Sequence, residues 1–409
     1  MKKILVLTNS FMPKPNAIGV CLETILHEFS NRGYEAYILK CSEGKGYEKI
    51  GTNHIYNIPP YESKRLKIRL FQKLRTLYRV LRYYPLENKG FMKEYKKLAN
   101  KLIEENDFEF VLCTQKPTFT NVIGREIKGE HSEIRLILYE LDSITDNVFN
   151  NTGWSKYFSR RNKIIERKNY NSADLILRMI NHANFYSKKR YMKYDFKSRY
   201  VDIPLLDNRF LQQKKTENRE EKDITCVYTG ALNKYYRTPQ YFLDLLRNCS
   251  HEIGVRVLFY SGYDAESVEQ VKKAQEEMPN RVFLNNTIEK ELLDKEMLKM
   301  DICLCIGNNF SEDVGAVPSK LFYYMSFAKP IIHIAPKKND VCIKYLERYP
   351  YALILYTSEN MGENVKKFEE FVRNVKQKSF DYVDLNKLYP MNTPAYTVDI
   401  IVDFFKMEM

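Results

Sequence analysis

The sequence has little of what breaks or loosens a fold, with only 15 Gly and 15 Pro in 409 residues. Together with 44% hydrophobic and 29% charged residues, that scarcity excludes disordered, fibrous and low-complexity chains and leaves a packed globular one. No stretch approaches the roughly 20 apolar residues of a membrane span, so the expected location is the cytoplasm or a membrane surface. The opening MKKILVLTNS starts basic, but its apolar run Ile4 to Leu7 is too short for a signal-peptide core, and no small-residue cleavage site follows. It reads as a buried strand. The eight cysteines form no CxxC and no Cys/His pair, and Cys303 and Cys305 alternate within the apolar run Ile302 to Ile306. They read as core thiols of a reducing compartment, and no metal site is expected. Phosphate loops of GxGxxG or P-loop spacing are missing as well.

Positive charge is what the chain has in excess. Lys plus Arg is 65 against 52 Asp plus Glu, a net charge of +13, so anionic partners are expected: phosphate-bearing small molecules, lipid headgroups or nucleic acid. No nucleic-acid motif accompanies the charge. A single core rarely grows past about 250 to 300 residues, so two domains are expected.

The pattern along the chain is strand, loop, helix, repeated. Ile4 to Leu7 precedes the loop SFMPKPNAIG and then Ile18, Leu22, Ile25, Leu26 and Phe29 at helical spacing, closed by Gly33. Tyr34 to Leu39 completes a βαβ unit and so a parallel sheet. FEFVLCT, LILYELD and ADLILRM continue the alternation. It lapses around 202 to 223 in a charge- and amide-rich run and resumes with ITCVYTG, VRVLFYSG, RVFLN, DICLCIG and PIIHIA, with a helix expected from Thr238 as N-cap and Pro239 as its first residue. The fold class is therefore α/β, two doubly wound Rossmann-like domains facing a cleft: 1–203, 204–390, and a C-terminal helix in 391–409 packing back on the first.

Residues 64–84 carry Lys64, Arg65, Lys67, Arg69, Lys73, Arg75, Arg79 and Arg82 without an acid, and Leu66, Leu70, Leu74, Leu77 and Leu81 at helical spacing. A basic helix with one apolar stripe suits an anionic membrane surface, and also an outer helix packed on its own sheet.

In open α/β sheets ligands sit beyond the carboxyl ends of the strands. Three loops there are unusual. SFMPKPNAIG leads into a helix whose first N–H groups face a phosphate or an acceptor, with Asn16 and Gly19 at its start. In TGALNKYYRTP, Gly230 permits a tight turn, and Lys234 and Arg237 offer two cations for a diphosphate. In VPSKLFYYM, Pro318 opens a helix with Ser319 and Lys320 in its first turn, where a cation opposes the helix dipole unless an anion is bound. At the carboxyl end of LILYELD, Asp142 is the candidate acceptor-side base and Glu140 the alternative, and a carboxylate capping the following loop is the competing reading.

The segment VPSKLFYYMSFAKPII resembles the sugar-nucleotide motif of GT-B glycosyltransferases of the family 4 type, particularly a bacterial capsular or surface-polysaccharide branch. KILVLTNSFMPKPNAIG is similar to that family's first strand and acceptor loop, NSADLIL to its last N-domain strand and VYTGAL to its first C-domain strand. The resemblance implies that Lys320 contacts the donor diphosphate, that Arg237 or Lys234 takes the other cation role, and that the backbone from Leu284 to Thr287, with Asn285 and Thr287, holds the base. It also implies a nucleotide-diphosphate sugar as substrate, no cofactor or metal, and a lipid-linked or glycan acceptor at the inner face of the cell membrane. The family's paired glutamates fall on Gly315 and Tyr323, the latter at the ribose position, and its N-domain histidine is absent. Two rivals follow: a non-catalytic GT-B partner subunit and a sugar-nucleotide epimerase.

Overall fold

The computed structural model describes residues 1–13, 15–42, 46–59, 69–86, 89–115, 118–141, 145, 157–207, 209, 223–262, 264–309, 317–377 and 385–407. The chain divides into two compact units, Met1–Pro204 with Pro394–Met409, and Leu205–Thr393.

In the first unit, β1 (Lys2–Leu7), β2 (Tyr34–Cys41), β5 (Phe108–Thr114), β6 (Arg135–Glu140), β7 (Leu175–Met179) and β8 (Ser198–Val201) run parallel. Their near-continuous apolar runs follow from being covered on both faces. β3 (Gly46–Ile50) and β4 (Asn53–Ile58) form a hairpin at one edge that turns at Gly51, φ +58°, giving the order β3-β4-β2-β1-β5-β6-β7-β8. The hairpin lacks an apolar run, and most of its residues are half-buried or exposed, so no apolar pattern in the sequence marked it. Helices α1 (Ala17–Asn31), α2 (Arg69–Tyr83), α3 (Lys89–Glu105), α4 (Thr118–Glu130) and α5 (Ser159–Ser172) complete the unit's first stretch.

The second unit holds β9 (Ile224–Thr229), β10 (Val255–Tyr260), β11 (Val282–Asn285), β12 (Ile302–Ile306), β13 (Ile331–Ala335) and β14 (Ala352–Tyr356), all parallel, in the order β11-β10-β9-β12-β13-β14. Its helices include α6 (Gln240–Asn248), α7 (Ala265–Glu277), α8 (Lys290–Lys299), α9 (Lys320–Met325) and α10 (Met361–Gln377). α6 begins one residue later than the expected start at Pro239, although Thr238 Oγ1 still accepts the N–H of Gln240 at 3.3 Å. The last helix, α11 (Pro394–Lys406), belongs to the first unit, where Phe405 stacks on Phe110 of β5 with centroids 6.2 Å apart and lies under the Arg135 guanidinium.

Each sheet has one point where the strand order reverses: between β1 and β5 in the first unit, and between β9 and β12 in the second. Neighbouring crossovers diverge there, so the carboxyl ends of those two strands leave an opening that a ligand can enter.

Among the described residues no helix is long and apolar enough to cross a membrane. The expected basic helix is described from Arg69 onward, as α2; residues 64–68 lie outside the described residues. The structure leaves Leu74, Leu77, Tyr78 and Leu81 exposed, at 52%, 39%, 59% and 51%, so the described part of the apolar stripe does not pack inward. Arg161 of α5 holds the end of α2, donating to the carbonyls of Leu81 and Tyr84 at 3.3 and 2.9 Å.

Candidate functional site

The switch point of the second sheet is built from three short segments. β9 ends at Thr229, and Gly230 turns the chain with φ +98°, a conformation that disfavours any side chain. The following loop closes on itself by paired backbone bonds between Asn233 and Arg237, 3.0 and 2.8 Å. The N–H of Asn309, beyond β12, donates to Tyr236 O at 2.7 Å and ties that loop to the neighbouring strand end. Arg237 is thereby presented beside Asn308, whose Oδ1 accepts both Nε and Nη2 at 3.1 and 2.6 Å.

Lys320, the first residue of α9, reaches back to the same place. Its Nζ stands 3.7 Å from the Tyr228 ring centroid, and a Cβ at residue 230 would lie 3.4 Å from it. Among the described residues the atom is buried without a hydrogen-bond partner. Burial, and after it the charge of Arg237, pull the Lys320 pKa well below the usual lysine range, partly offset by the Cys305 and Cys342 thiols. Two cations are thus held together at the strand ends, and the contact with Tyr228 replaces only part of the hydration that one of them has lost. The expectation that Lys320 serves a helix N-terminal anion site needs correcting: α9 spans six residues, and the lysine side chain instead reaches back to Tyr228 and Gly230.

Other expected donor residues lie further apart. Lys234 is exposed and its ammonium pairs with Glu266, so the structure does not bring it to Arg237 and Lys320. Pro318 and Ser319 lead into α9, and the carbonyl of Ser319 accepts the N–H of Tyr323 at 3.2 Å. Tyr323 is 8% exposed and donates its hydroxyl to Asp294 Oδ1 on α8 at 2.6 Å, while Asp294 Oδ2 receives Lys290 at 2.7 Å. Asn285 ends β11 half-buried, and Thr287 is exposed two residues on. Gly315 lies outside the described residues. Tyr228, Asp294 and Asn308 were missed by sequence reasoning. Lys290 and Asp294 at i, i+4 on one helix were the only local signal for any of them.

In the first unit, Asn16 is the N-cap of α1, its Oδ1 accepting the N–H groups of Ile18 and Gly19 at 3.0 and 3.1 Å. Those two donors are therefore already satisfied. A Cβ at Gly19 would lie 2.8 Å from Ser10 O and from Pro15 Cβ, so the glycine lets the loop fold onto the helix start. At the β1/β5 switch, Gln115 is buried with its Oε1 lacking a hydrogen-bond partner. Asp142 lies outside the described residues. Glu140 is fully buried, accepts the Tyr170 hydroxyl, and belongs to an interior group with Arg178, Tyr186 and Glu166. Burial and the neighbouring Glu166 raise its pKa to about 8. A carboxyl so enclosed does not face an acceptor, which removes Glu140 as the alternative base.

No family model and no curated protein sequence matches the chain. Solved structures do resemble it along their whole length. WaaG, a glycosyltransferase involved in lipopolysaccharide biosynthesis, is 11% identical with a TM-score of 0.57, covering 97% of this chain and 99% of that one. Anabaena HepE in complex with UDP and glucose is 12% identical with a TM-score of 0.58, covering 100% of both chains. The lipopolysaccharide outer core galactosyltransferase WaaB, in its apo form, is 10% identical with a TM-score of 0.51, again covering 100% of both. The likeness is one of fold: two parallel-sheet bodies of the GT-B glycosyltransferase type.

Proposed function

We propose that this chain is a glycosyltransferase that moves a sugar from a nucleotide diphosphate to a lipid-linked or polysaccharide acceptor in bacterial surface-polysaccharide assembly, at the cytoplasmic face of the membrane. The observation that carries the reading is the Lys320–Arg237 pair at the β9/β12 switch point, where the lysine ammonium has no hydrogen-bond partner among the described residues. As the bond from the sugar's anomeric carbon to the diphosphate breaks, negative charge builds on the leaving oxygen, and fixed cations in a partly desolvated site stabilise it. That role needs no divalent ion, so addition of magnesium or manganese is expected to leave turnover unchanged. The likeness to HepE with UDP and to WaaG supports the donor and acceptor classes. Asp142 remains the proposed acceptor-side base.

α2 supplies the membrane contact in this proposal. Its exposed Leu74, Leu77, Tyr78 and Leu81 share one helical face, and Lys73 and Arg82 are exposed on the same helix. Apolar insertion and attraction to anionic headgroups then act together.

A second reading, a non-catalytic partner subunit, draws on Tyr323. Its buried ring and its bond to Asp294 occupy the position where the resembled family has a carboxylate.

A thermal-shift screen of UDP, GDP, CDP and dTDP tests the proposal, because a ligand bound only by the native state raises its apparent stability. One diphosphate should raise the midpoint in the wild type and not in Lys320→Ala. No shift with any of them would defeat the reading. Conversion of a donor sugar without acceptor would instead identify an epimerase, and binding without turnover a partner subunit.

A further inference from the structure

The cysteines carry a second site in the C-terminal unit. Cys305 of β12 and His333 of β13 are register partners on adjacent parallel strands, so their side chains leave the sheet on one face. Cys342, in the loop after β13, comes to the same point: a ligand atom from each of Cys305, His333 and Cys342 lies within 4.8 Å of the other two, and all three residues are buried. Asp340 lies against the cluster, its Oδ2 3.3 Å from His333 Nε2, while its Oδ1 accepts the N–H of Cys342 at 2.8 Å. A Cβ at residue 307 would overlap that carboxylate, so Gly307 leaves the room it occupies. Neither ring nitrogen of His333 has a hydrogen-bond partner of good geometry, although the residue is 0% exposed.

The Asp340 carboxylate is at ion-pair distance from Nε2, and a buried polar group without full hydrogen bonding is costly. Two sulfurs and one imidazole nitrogen supply three of the four positions of a tetrahedral divalent ion of borderline softness, and the Asp340 carboxylate lies beside the histidine. A carboxylate behind a ligating histidine fixes its tautomer and orientation.

We propose that Cys305, His333 and Cys342 bind a zinc ion, with water in the fourth position and Asp340 orienting His333 through Nε2 so that Nδ1 faces the metal. Binding displaces the two thiol protons, and the ion joins the ends of β12 and β13 to the loop that carries Asp340 and Cys342. The inference is independent of the transferase reading, and its test uses no sugar nucleotide.

The full-length protein, purified without chelator, is expected to carry about one equivalent of zinc by elemental analysis, the ratio one such site requires. Replacement by cobalt should produce thiolate-to-metal charge-transfer absorption in the near ultraviolet and visible bands of tetrahedral intensity. In Cys342→Ser the charge-transfer band should fall by about half, and in a Cys305→Ser, Cys342→Ser double variant it should vanish, as the number of thiolate ligands dictates. Should these variants fail to fold, wild-type cobalt absorption still decides the matter. Folded wild-type protein that neither retains zinc nor gives thiolate bands with cobalt would overturn the proposal. So would a Cys305–Cys342 disulfide found by mass spectrometry of unreduced protein, or thiolate bands that persist undiminished in the double variant.

Discussion

The ammonium of Lys320 stands 3.7 Å from the ring centroid of Tyr228, buried and, among the described residues, without a hydrogen-bond acceptor. A lysine so placed is maintained at the expense of stability. The ring face returns about 1 to 2 kcal/mol to a desolvated cation, less than the several kcal/mol that desolvation costs an ion.

Lys320→Met should therefore raise the thermal midpoint while sharply lowering donor use. Loss of one charged hydrogen bond to a diphosphate, about 1.5 to 3 kcal/mol, corresponds to roughly a 10- to 150-fold fall in kcat/KM. Arg237→Ala should lower kcat/KM similarly without the gain in stability, since it removes the two bonds that Asn308 Oδ1 accepts. Calorimetry alongside steady-state kinetics measures both quantities. A destabilised Lys320→Met with normal kinetics would show the lysine to be structural.

Tyr323→Phe now carries a definite expectation. The hydroxyl donates to Asp294 Oδ1 at 2.6 Å, and the Asp294 side chain is only 18% exposed, so removing the donor leaves a largely buried carboxylate to Lys290 alone. The variant should lose about 1 to 3 kcal/mol of stability, the usual cost of an orphaned polar group, measured by urea unfolding. Unchanged stability would mean that Asp294 turns to solvent instead.

Much of this architecture was legible in one sequence because parallel strands buried on both faces read as apolar runs, and most of the strands that frame the two switch points were visible that way. Gly230, Arg237 and Lys320 could be singled out from the sequence because strand ends are where ligands bind in open α/β sheets, and the structure brings them to one strand end. What stayed hidden depends on register and on side-chain reach. Cys305 and His333 are 28 positions apart in sequence yet paired across β12 and β13, a relationship no spacing rule reveals. Glu140 looked catalytic because it ends a strand. Whether a strand-end carboxylate points outward or into the core is decided by its neighbours, here Tyr170 and Arg178.

Membrane association should depend on the exposed face of α2. Leu74→Ser, Leu77→Ser and Leu81→Ser together remove side chains that the unit does not bury, so the fold should be unaffected. Each leucine inserted into a bilayer contributes up to about 1.5 to 3 kcal/mol, so the triple variant should bind anionic vesicles at least about tenfold more weakly. Wild-type binding should also fall as salt rises, through screening of Lys73 and Arg82. Vesicle sedimentation checks both effects. Equal binding to neutral and anionic vesicles would contradict the charge contribution.

Glu140 should impose its own pH dependence on stability. Its folded pKa is raised to about 8 by burial and by Glu166, against roughly 4.3 for an unfolded glutamate. Between those values the native state holds a proton that the unfolded chain has released, so this group's contribution falls as pH rises through the window. It is complete below about pH 4.3 and fully lost above about pH 8, with a slope of at most about 1.4 kcal/mol per pH unit. Glu140→Gln keeps an oxygen to accept the Tyr170 hydroxyl but removes the titration. The variant should therefore show a shallower decline between pH 5 and pH 8 and become more stable than the wild type near pH 8. Denaturant unfolding of both proteins across that range supplies the difference directly, cancelling the other titrating groups. Parallel curves would mean that Arg178, the register partner of Glu140 on β7, keeps Glu140 ionised, with the raised pKa absent.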